Sequence, residues 1–474
     1  MTDKLIRGGT LILADETRVC DVRIVGEKIA EIGESLPSGG AEIIDARGKL
    51  VMPGGVDPHT HFDLPVFGTV TSDDHYTGLK AAAFGGTTTV LDFVPLPEEG
   101  SLGEAIEAWN DKAALHAAVD YGFHMNITRL DDAVLEEIPT LADQGITSLK
   151  VFTAYNGRLR LQDGEIFRVL RLAGRHGLLT LLHGENGDVI DILVEEALRA
   201  GNTSPVWHAR TRPAWGAVEA ALRGIALAAQ AEGPLYIVHA NTAGEVDQIQ
   251  YARDRGLPVL GETCPQYLFF TEAELARPDG AKFVCSPPLR KRLDQEALWR
   301  GLQDGSLQTI GTDHCSFFYD GTRPILYEGK PVAIPGKELG AGDFTKIPNG
   351  LPGVGDRLPI LWTCGVRAGR ITPQQFVALT ATNPAKIFGL YPRKGTLQPG
   401  SDADVVVWDP GVQVTYGVKR AQHRTDYNLY EGWELRGYPE KVLLRGELIV
   451  SEGEWLGRAG LGRFLKRDRG EYGI

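Results

Sequence analysis

The chain has 474 residues, 43% of them hydrophobic, which is enough length and apolar content for a large buried core. Its net charge of −13 argues against nonspecific nucleic-acid binding, which needs a basic face. No uncharged apolar run reaches the ~18 residues of a membrane span. The opening MTDKLIRGGT lacks the apolar core of a secretory signal, and the scattered Cys20, Cys264, Cys285, Cys315 and Cys364 read as a reducing cytoplasm rather than a disulfide framework.

Residues 1–53 read as short strands. LIRGGTLILA and VCDVRIVGEKIAEIG alternate apolar and polar positions, with Gly26-Glu27-Lys28 as a hairpin turn. Over residues 54–388 apolar β-branched runs alternate with helical stretches such as SLGEAIEAWNDKAALHAA and GAVEAALRGIALAAQAEG. The strand candidates are Leu50–Val56, Thr87–Phe93, Tyr121–Ile127, Thr147–Phe152, Leu178–His183, Leu235–His239, Pro258–Glu262 and Thr309–Thr312. Alternating strand and helix predicts parallel strands with crossover helices. Eight such units over about 330 residues predict an α/β fold of the (β/α)8 barrel type, with insertions. A doubly wound open sheet is the runner-up, but no G-x-G-x-x-G turn supports a nucleotide-binding version of it. Residues 389–474 return to short strands, DADVVVWDP and EKVLLRGELIVSEGEW, and end in the basic, Gly-rich GRAGLGRFLKRDRGEYGI. The two chain ends are expected to pair into one small β-sandwich domain.

Barrel chemistry sits at the C-terminal ends of the strands. His59 and His61 follow the first candidate, Lys150 lies in the fourth, His183 and His239 end the fifth and sixth, and Asp313 ends the eighth. Each has a bland reading. A lone strand-end histidine is usually structural, a buried lysine can snorkel, and an aspartate can cap the next segment. The combination is what points to a metal. Of eleven histidines, four fall on one rim, beside a carboxylate. His75, His116, His124, His176, His208, His314 and His423 are not read as ligands. In extended geometry His59 and His61 point the same way. Four imidazoles and a carboxylate exceed what one catalytic zinc needs, since such a site keeps a position open, so two divalent ions fit better. Two close cations need an anionic bridge. No spare acidic residue is evident at a matching strand end, and Lys150 is the remaining candidate: a neutral amine adds carbon dioxide to become an anionic carbamate.

These residues and their surroundings resemble the amidohydrolase superfamily, and within it the dihydropyrimidinase and D-hydantoinase group of cyclic-amide hydrolases. The likeness runs through GGVDPHTHFDLP, AAAFGGTTTVLDF, SLKVFTAYNG, LLHGEN, VHAN, SPPLR, GTDHC, IPNGLPGVGDR and KGTLQPGSDADVVVWDP. It implies that His59, His61 and Asp313 hold one ion, that His183 and His239 hold the other, and that carboxylated Lys150 bridges them. The ions are expected to be zinc. It further implies that Tyr155 hydrogen-bonds the reacting carbonyl and that main-chain groups of Ser286 and Asn349 hold the ring amide. The implied activity opens dihydropyrimidine or 5-substituted hydantoin rings, giving N-carbamoyl amino acids, through a hydroxide activated by the metals, with Asp313 as proton carrier. The implied protein is a cytoplasmic homotetramer in pyrimidine catabolism whose C-terminal tail reaches neighbouring subunits. Leu64, Phe67, Tyr155 and Leu159 are expected on the loops that meet the exocyclic group. Dihydroorotases carry H-x-H-x-R, where the arginine grips a carboxylate; here the position is Asp63, expected to repel one. Allantoinases share the metal set, and non-catalytic scaffold relatives lack it.

Overall fold

The computed structural model describes residues 2–474. Among them, eight parallel strands follow one another around a barrel: β1 (Gly55–Thr60), β2 (Thr87–Val94), β3 (Asp120–Asn126), β4 (Ser148–Phe152), β5 (Leu179–His183), β6 (Leu235–Ile237), β7 (Val259–Thr263) and β8 (Thr309–Ile310). Nearly every residue on them is buried, as expected where helices cover the outside and side chains fill the inside. The crossover helices explain the sequence rhythm. Leu102–Ala114 starts at a Ser101–Glu104 capping box and lays Leu102, Ile106, Trp109 and Ala113 on one buried face.

The ring closes with side chains where the ladder stops. Between β8 and β1 there is one backbone bridge, Thr60 to His314. The Asp57 carboxylate accepts from Thr312 N at 3.1 Å and Thr312 Oγ1 at 2.7 Å. The fully buried Arg357 guanidinium donates to Val56 O and Ile310 O, each at 2.9 Å.

The first candidate strand corrects the sequence reading. Leu50–Val56 is not one strand: Leu50–Pro53 joins a second sheet, and the barrel begins at Gly55. The break has a cause at Gly54, where a Cβ would lie 2.1 Å from Thr88 Oγ1. The sixth and eighth strands also end earlier than expected, at Ile237 and Ile310. His239 and Asp313 therefore sit just past their strands.

The second sheet has nine strands, drawn from both ends of the chain. Leu50–Pro53 pairs antiparallel with Val405–Thr415, and this seam joins the N-terminal and C-terminal contributions. The sheet wraps an apolar cluster of its own, including Ile6, Val22, Ile24, Val405, Val407 and Leu443.

The C-terminal tail crosses the N-terminal end of its own barrel. Leu465 N donates to Tyr121 O at 2.7 Å, and Tyr121 N donates to Arg463 O at 3.1 Å. Leu465 packs among barrel-floor residues that include Leu91, Leu181 and Tyr236. Arg467, only 3% exposed, reaches Phe123 O and donates to Ser148 Oγ at 2.9 Å. Any reach toward a neighbouring subunit is thus additional to a role within the chain. Deletion of residues 461–474 is expected to lower the thermal midpoint by several degrees, since Leu465 alone contributes roughly 2 kcal/mol of burial. A truncated chain with the parent midpoint would show the tail to be dispensable for the fold.

Candidate metal centre

The H-x-H pair lies at the open end of β1. Thr60 turns the other way and its hydroxyl donates to Leu91 O at 3.1 Å, so His59 and His61 share the inner side. His59 Nδ1 contacts Glu262 Oε1 at 2.7 Å, with both side chains almost fully buried. A carboxylate there takes the Nδ1 proton and leaves Nε2 as the free ring nitrogen. His59 Nε2 lies 3.2 Å from Asp313 Oδ1, and so does His61 Nε2. Donor atoms of His59, His61 and Asp313 all fall within 4.8 Å of one another.

A second imidazole pair stands beside the first. His183 Nδ1 faces His239 Nε2 at 3.0 Å. The other nitrogen of His183 contacts Glu185 Oε2 at 3.0 Å. The rings of His59 and His239 are 5.4 Å apart, which makes the two pairs one cluster. Lys150, 2% exposed, rises from β4 beside them, with Nζ 4.7 Å from the Phe93 ring. Phe93 also lies 4.7 Å from the His59 ring and 4.9 Å from the His61 ring, forming a floor under the cluster.

The electrostatics suit a cation. Burial pushes His59 and His239 well below the ordinary histidine value, so both are neutral and able to ligate. Burial also lowers the Lys150 amine to about 8, with Asp313 and Glu262 opposing the shift. Asp313 is raised by burial, but the facing His59 and His61 outweigh this and hold it below the usual carboxylate range. His59 Nε2 and His61 Nδ1 are buried without a hydrogen-bond partner. Orphaned imidazole nitrogens beside a carboxylate fit a divalent ion of the zinc type.

The remaining expected residues face the same space. Tyr155, His183, His239, Ser286 and Asn349 line one cavity of about 250 Å3 together with His59, His61, Lys150 and Asp313. Asn349 Nδ2 donates to Ser286 Oγ at 3.0 Å. Tyr155, His239 and Asp313 have φ of 67, 41 and 51 degrees, left-handed values that non-glycine residues rarely adopt. Such strain concentrates where the fold must aim particular side chains.

The amidohydrolase family model matches residues 50–449. The chain belongs to the amidohydrolase family. It is 47% identical over 467 residues to a D-hydantoinase of Geobacillus stearothermophilus, covering 98% of this chain and 96% of that one. It is 44% identical over 475 residues to a D-hydantoinase of Streptomyces coelicolor, covering 99% and 98%. The crystal structure of a dihydropyrimidinase from Brevibacillus agri superposes with a TM-score of 0.95 at 47% identity, covering 99% of each chain.

In this amidohydrolase two acidic residues depart from the sequence reading. Glu262, on β7, is a spare carboxylate at a strand end. It holds His59 and also accepts from His239 N at 3.1 Å and Tyr236 OH at 3.0 Å. Burial pushes its carboxyl up to about 7. Asp63 is turned away from the cavity: its Oδ2 lies 2.7 Å from His75 Nδ1, and His75 Nε2 lies 3.2 Å from Asp92. Its charge is therefore matched by a buried imidazole and is not aimed at substrate. His124, His208 and His314 act as braces. His124 contacts Ser148 Oγ and Pro58 O, His208 contacts Cys285 O, and His314 receives the Gly353 and Val354 amides.

About two divalent ions per chain are expected in purified protein. His183→Ala should lose turnover and at least one of them. Elemental analysis of fully active protein with a single ion would refute the paired arrangement.

Proposed function

We propose that this protein hydrolyses the ring amide of 5-substituted hydantoins and of 5,6-dihydropyrimidines such as dihydrouracil, releasing N-carbamoyl amino acids. The observation that carries the reading is the convergence of four imidazoles, Lys150 and Asp313 on one cavity that also holds the Ser286–Asn349 pair. The relatives' names, D-hydantoinase and dihydropyrimidinase, support it.

His59, His61 and Asp313 would hold one ion and His183 and His239 the other, with carboxylated Lys150 between them. Zinc in these places would supply an activated water and a Lewis acid at the scissile carbonyl. Asp313 accepts a proton at its carboxylate and returns it to the leaving ring nitrogen. Burial raises the Tyr155 phenol, so it stays protonated and donates to the developing oxyanion, a role worth a few kcal/mol. Main-chain groups of Ser286 and Asn349 orient the ring amide. Leu64, Phe67, Phe152 and Leu159 wall the mouth of the cavity, so an aryl or alkyl exocyclic group is favoured there.

The same reading makes the protein a cytoplasmic homotetramer acting in pyrimidine or ureide breakdown. No helix among the described residues is long and apolar enough to cross a membrane. Trp215 at 81% exposure and Ile192 at 56%, on neighbouring helices, supply apolar surface for a subunit contact.

The deciding assay compares rates on phenylhydantoin, dihydrouracil, allantoin and dihydroorotate with one metal-loaded sample. Turnover of the first two, with the others at least 100-fold slower, is expected. Preference for allantoin would make the protein a ureide hydrolase, and no turnover of any of the four would leave the scaffold alternative.

A further inference from the structure

Lys337 is 1% exposed, yet it makes no ion pair among the described residues. Its Nζ donates to two main-chain carbonyls, Val284 O at 2.9 Å and Pro348 O at 3.0 Å. Burial pushes the amine down to about 7, opposed only by the thiols of Cys285 and Cys315. A buried amine with no carboxylate is costly unless its donors are used. Both acceptors here lie just before a cavity residue: Val284 two positions ahead of Ser286, Pro348 one ahead of Asn349.

The surroundings turn these bonds into a clamp. Gly350 N donates to the same Val284 carbonyl at 3.1 Å, and Asn349 Nδ2 donates to Ser286 Oγ at 3.0 Å, so the two loops also meet directly at two points. Lys337 is itself fixed at its main chain, where its N donates to Phe318 O at 2.7 Å. The preceding Gly336 has no room for a side chain, since a Cβ would lie 2.0 Å from Phe318 O. The amine is therefore held on a rigid support, with one hydrogen bond to each loop.

We propose that Lys337 is a positioning residue, clamping the two loops that present Ser286 and Asn349 to the substrate ring. The inference rests on the cyclic-amide reading of the cavity for its substrate, but not for its geometry. A neutral amine still has two N–H groups for its two carbonyls, so the clamp holds in either protonation state. Lys337 is distant in role from the metal-binding side chains: it governs where the ring sits, not how it is attacked. Its loss is felt in KM more than in kcat, because the anchoring bonds are made with substrate and transition state alike.

The test compares parent, Lys337→Met and Lys337→Gln on phenylhydantoin and dihydrouracil. Lys337→Met keeps an unbranched apolar chain one atom shorter and removes the donors. It is expected to raise KM at least tenfold on both substrates, with kcat within threefold and metal content equal to the parent's. Lys337→Gln keeps an N–H2 donor group on a shorter arm and should fall between, and it carries the same test if the methionine variant is insoluble. Amide hydrogen exchange gives a readout independent of turnover: protection should fall at least tenfold in residues 284–286, 349 and 350 and stay unchanged elsewhere. A parent protein inactive on both rings would overturn the functional reading alone, and the exchange result would still decide the clamp. Unchanged exchange in both loops, or an unchanged KM in active enzyme, would overturn the clamp.

Discussion

Lys150→Ala is expected to abolish turnover, by at least about 1,000-fold, and to leave the barrel folded. The side chain lies 2% exposed between the two imidazole pairs and makes no hydrogen bond or ion pair among the described residues. Its Nζ lies 4.7 Å from the Phe93 ring centre and 5.5 Å from that of Phe152. A positive charge there would oppose any cation held by His59, His61, His183 and His239. A neutral amine that added carbon dioxide would form an N–C bond and release one proton, and the resulting carbamate would place its two charge-sharing oxygens there instead. Without it, two divalent ions held there would repel with four times the unit-charge energy, and their binding would weaken together with turnover. The fold should tolerate the change, because the lost contacts are a few methylenes and no partner is orphaned. Acetate or propionate added with zinc should restore part of the rate to Lys150→Ala. Lys150→Arg should not respond, since a guanidinium stays charged and fills the gap. Full activity in Lys150→Ala without added acid would make the lysine structural.

His59, His61, His183, His239 and Asp313 were legible in the sequence because each follows or ends an apolar run, and barrel topology brings such ends to one rim; Lys150 stood inside a run, and Tyr155, Ser286 and Asn349 were pointed to by the family resemblance alone. What sequence left out depends on contacts between distant segments. Glu262 stands in the stretch GETC as one acid at a strand end. Its importance comes from reaching across to His59, 203 residues away in the chain. Asp63 looked like a cavity residue from its place two past His61. A φ of 50 degrees swings it to His75 instead, and no spacing rule carries that turn. Leu50–Val56 reads as one continuous apolar run, and hydrophobic periodicity is blind to which sheet each half joins. The Pro53-Gly54 pair was the available signal for a break. The tail composition, basic and rich in glycine, reads as solvent-exposed, yet Arg467 is buried because its guanidinium finds Phe123 O and Ser148 Oγ at the barrel floor.

Lys394→Met should give the largest loss of stability, about 3–5 kcal/mol, without touching the metal residues. Lys394 is 1% exposed, and its Nζ lies 2.7 Å from Asp120, 2.8 Å from Asp404 and 3.1 Å from Asp402. Asp120 opens β3 of the barrel, whereas Asp402 and Asp404 lead into the Val405–Thr415 strand of the second sheet. Arg445, also in contact with Asp120, donates to Leu461 O at 2.7 Å, and Arg463 N donates to Asp120 at 2.9 Å. One amine therefore ties barrel, second sheet and tail together. Methionine fills a similar volume but leaves Asp120 with Arg445 and Asp402 with Lys28, 2.7 Å away, as counter-charges, and Asp404 with no cation in contact. The pH dependence has a definite sign. In the parent, burial raises the Asp120 carboxyl, but Lys394 and Arg445 outweigh it and hold it below its ordinary value. Asp120 thus contributes stability that is present above the unfolded value of about 4 and lost as pH falls. Without Lys394, burial is no longer opposed to the same extent, and the buried carboxyls move upward. The folded variant then binds protons more tightly than its unfolded chain, and its stability rises as pH falls through those raised values. The gap between parent and variant should be widest near pH 7.5 and narrower at pH 5. Denaturation midpoints at the two pH values check this, and equal midpoints at pH 7.5 or a wider gap at pH 5 would refute it. Adding Asp404→Asn to Lys394→Met removes one uncompensated charge and should recover part of the loss, with kcat per folded chain within twofold of the parent throughout.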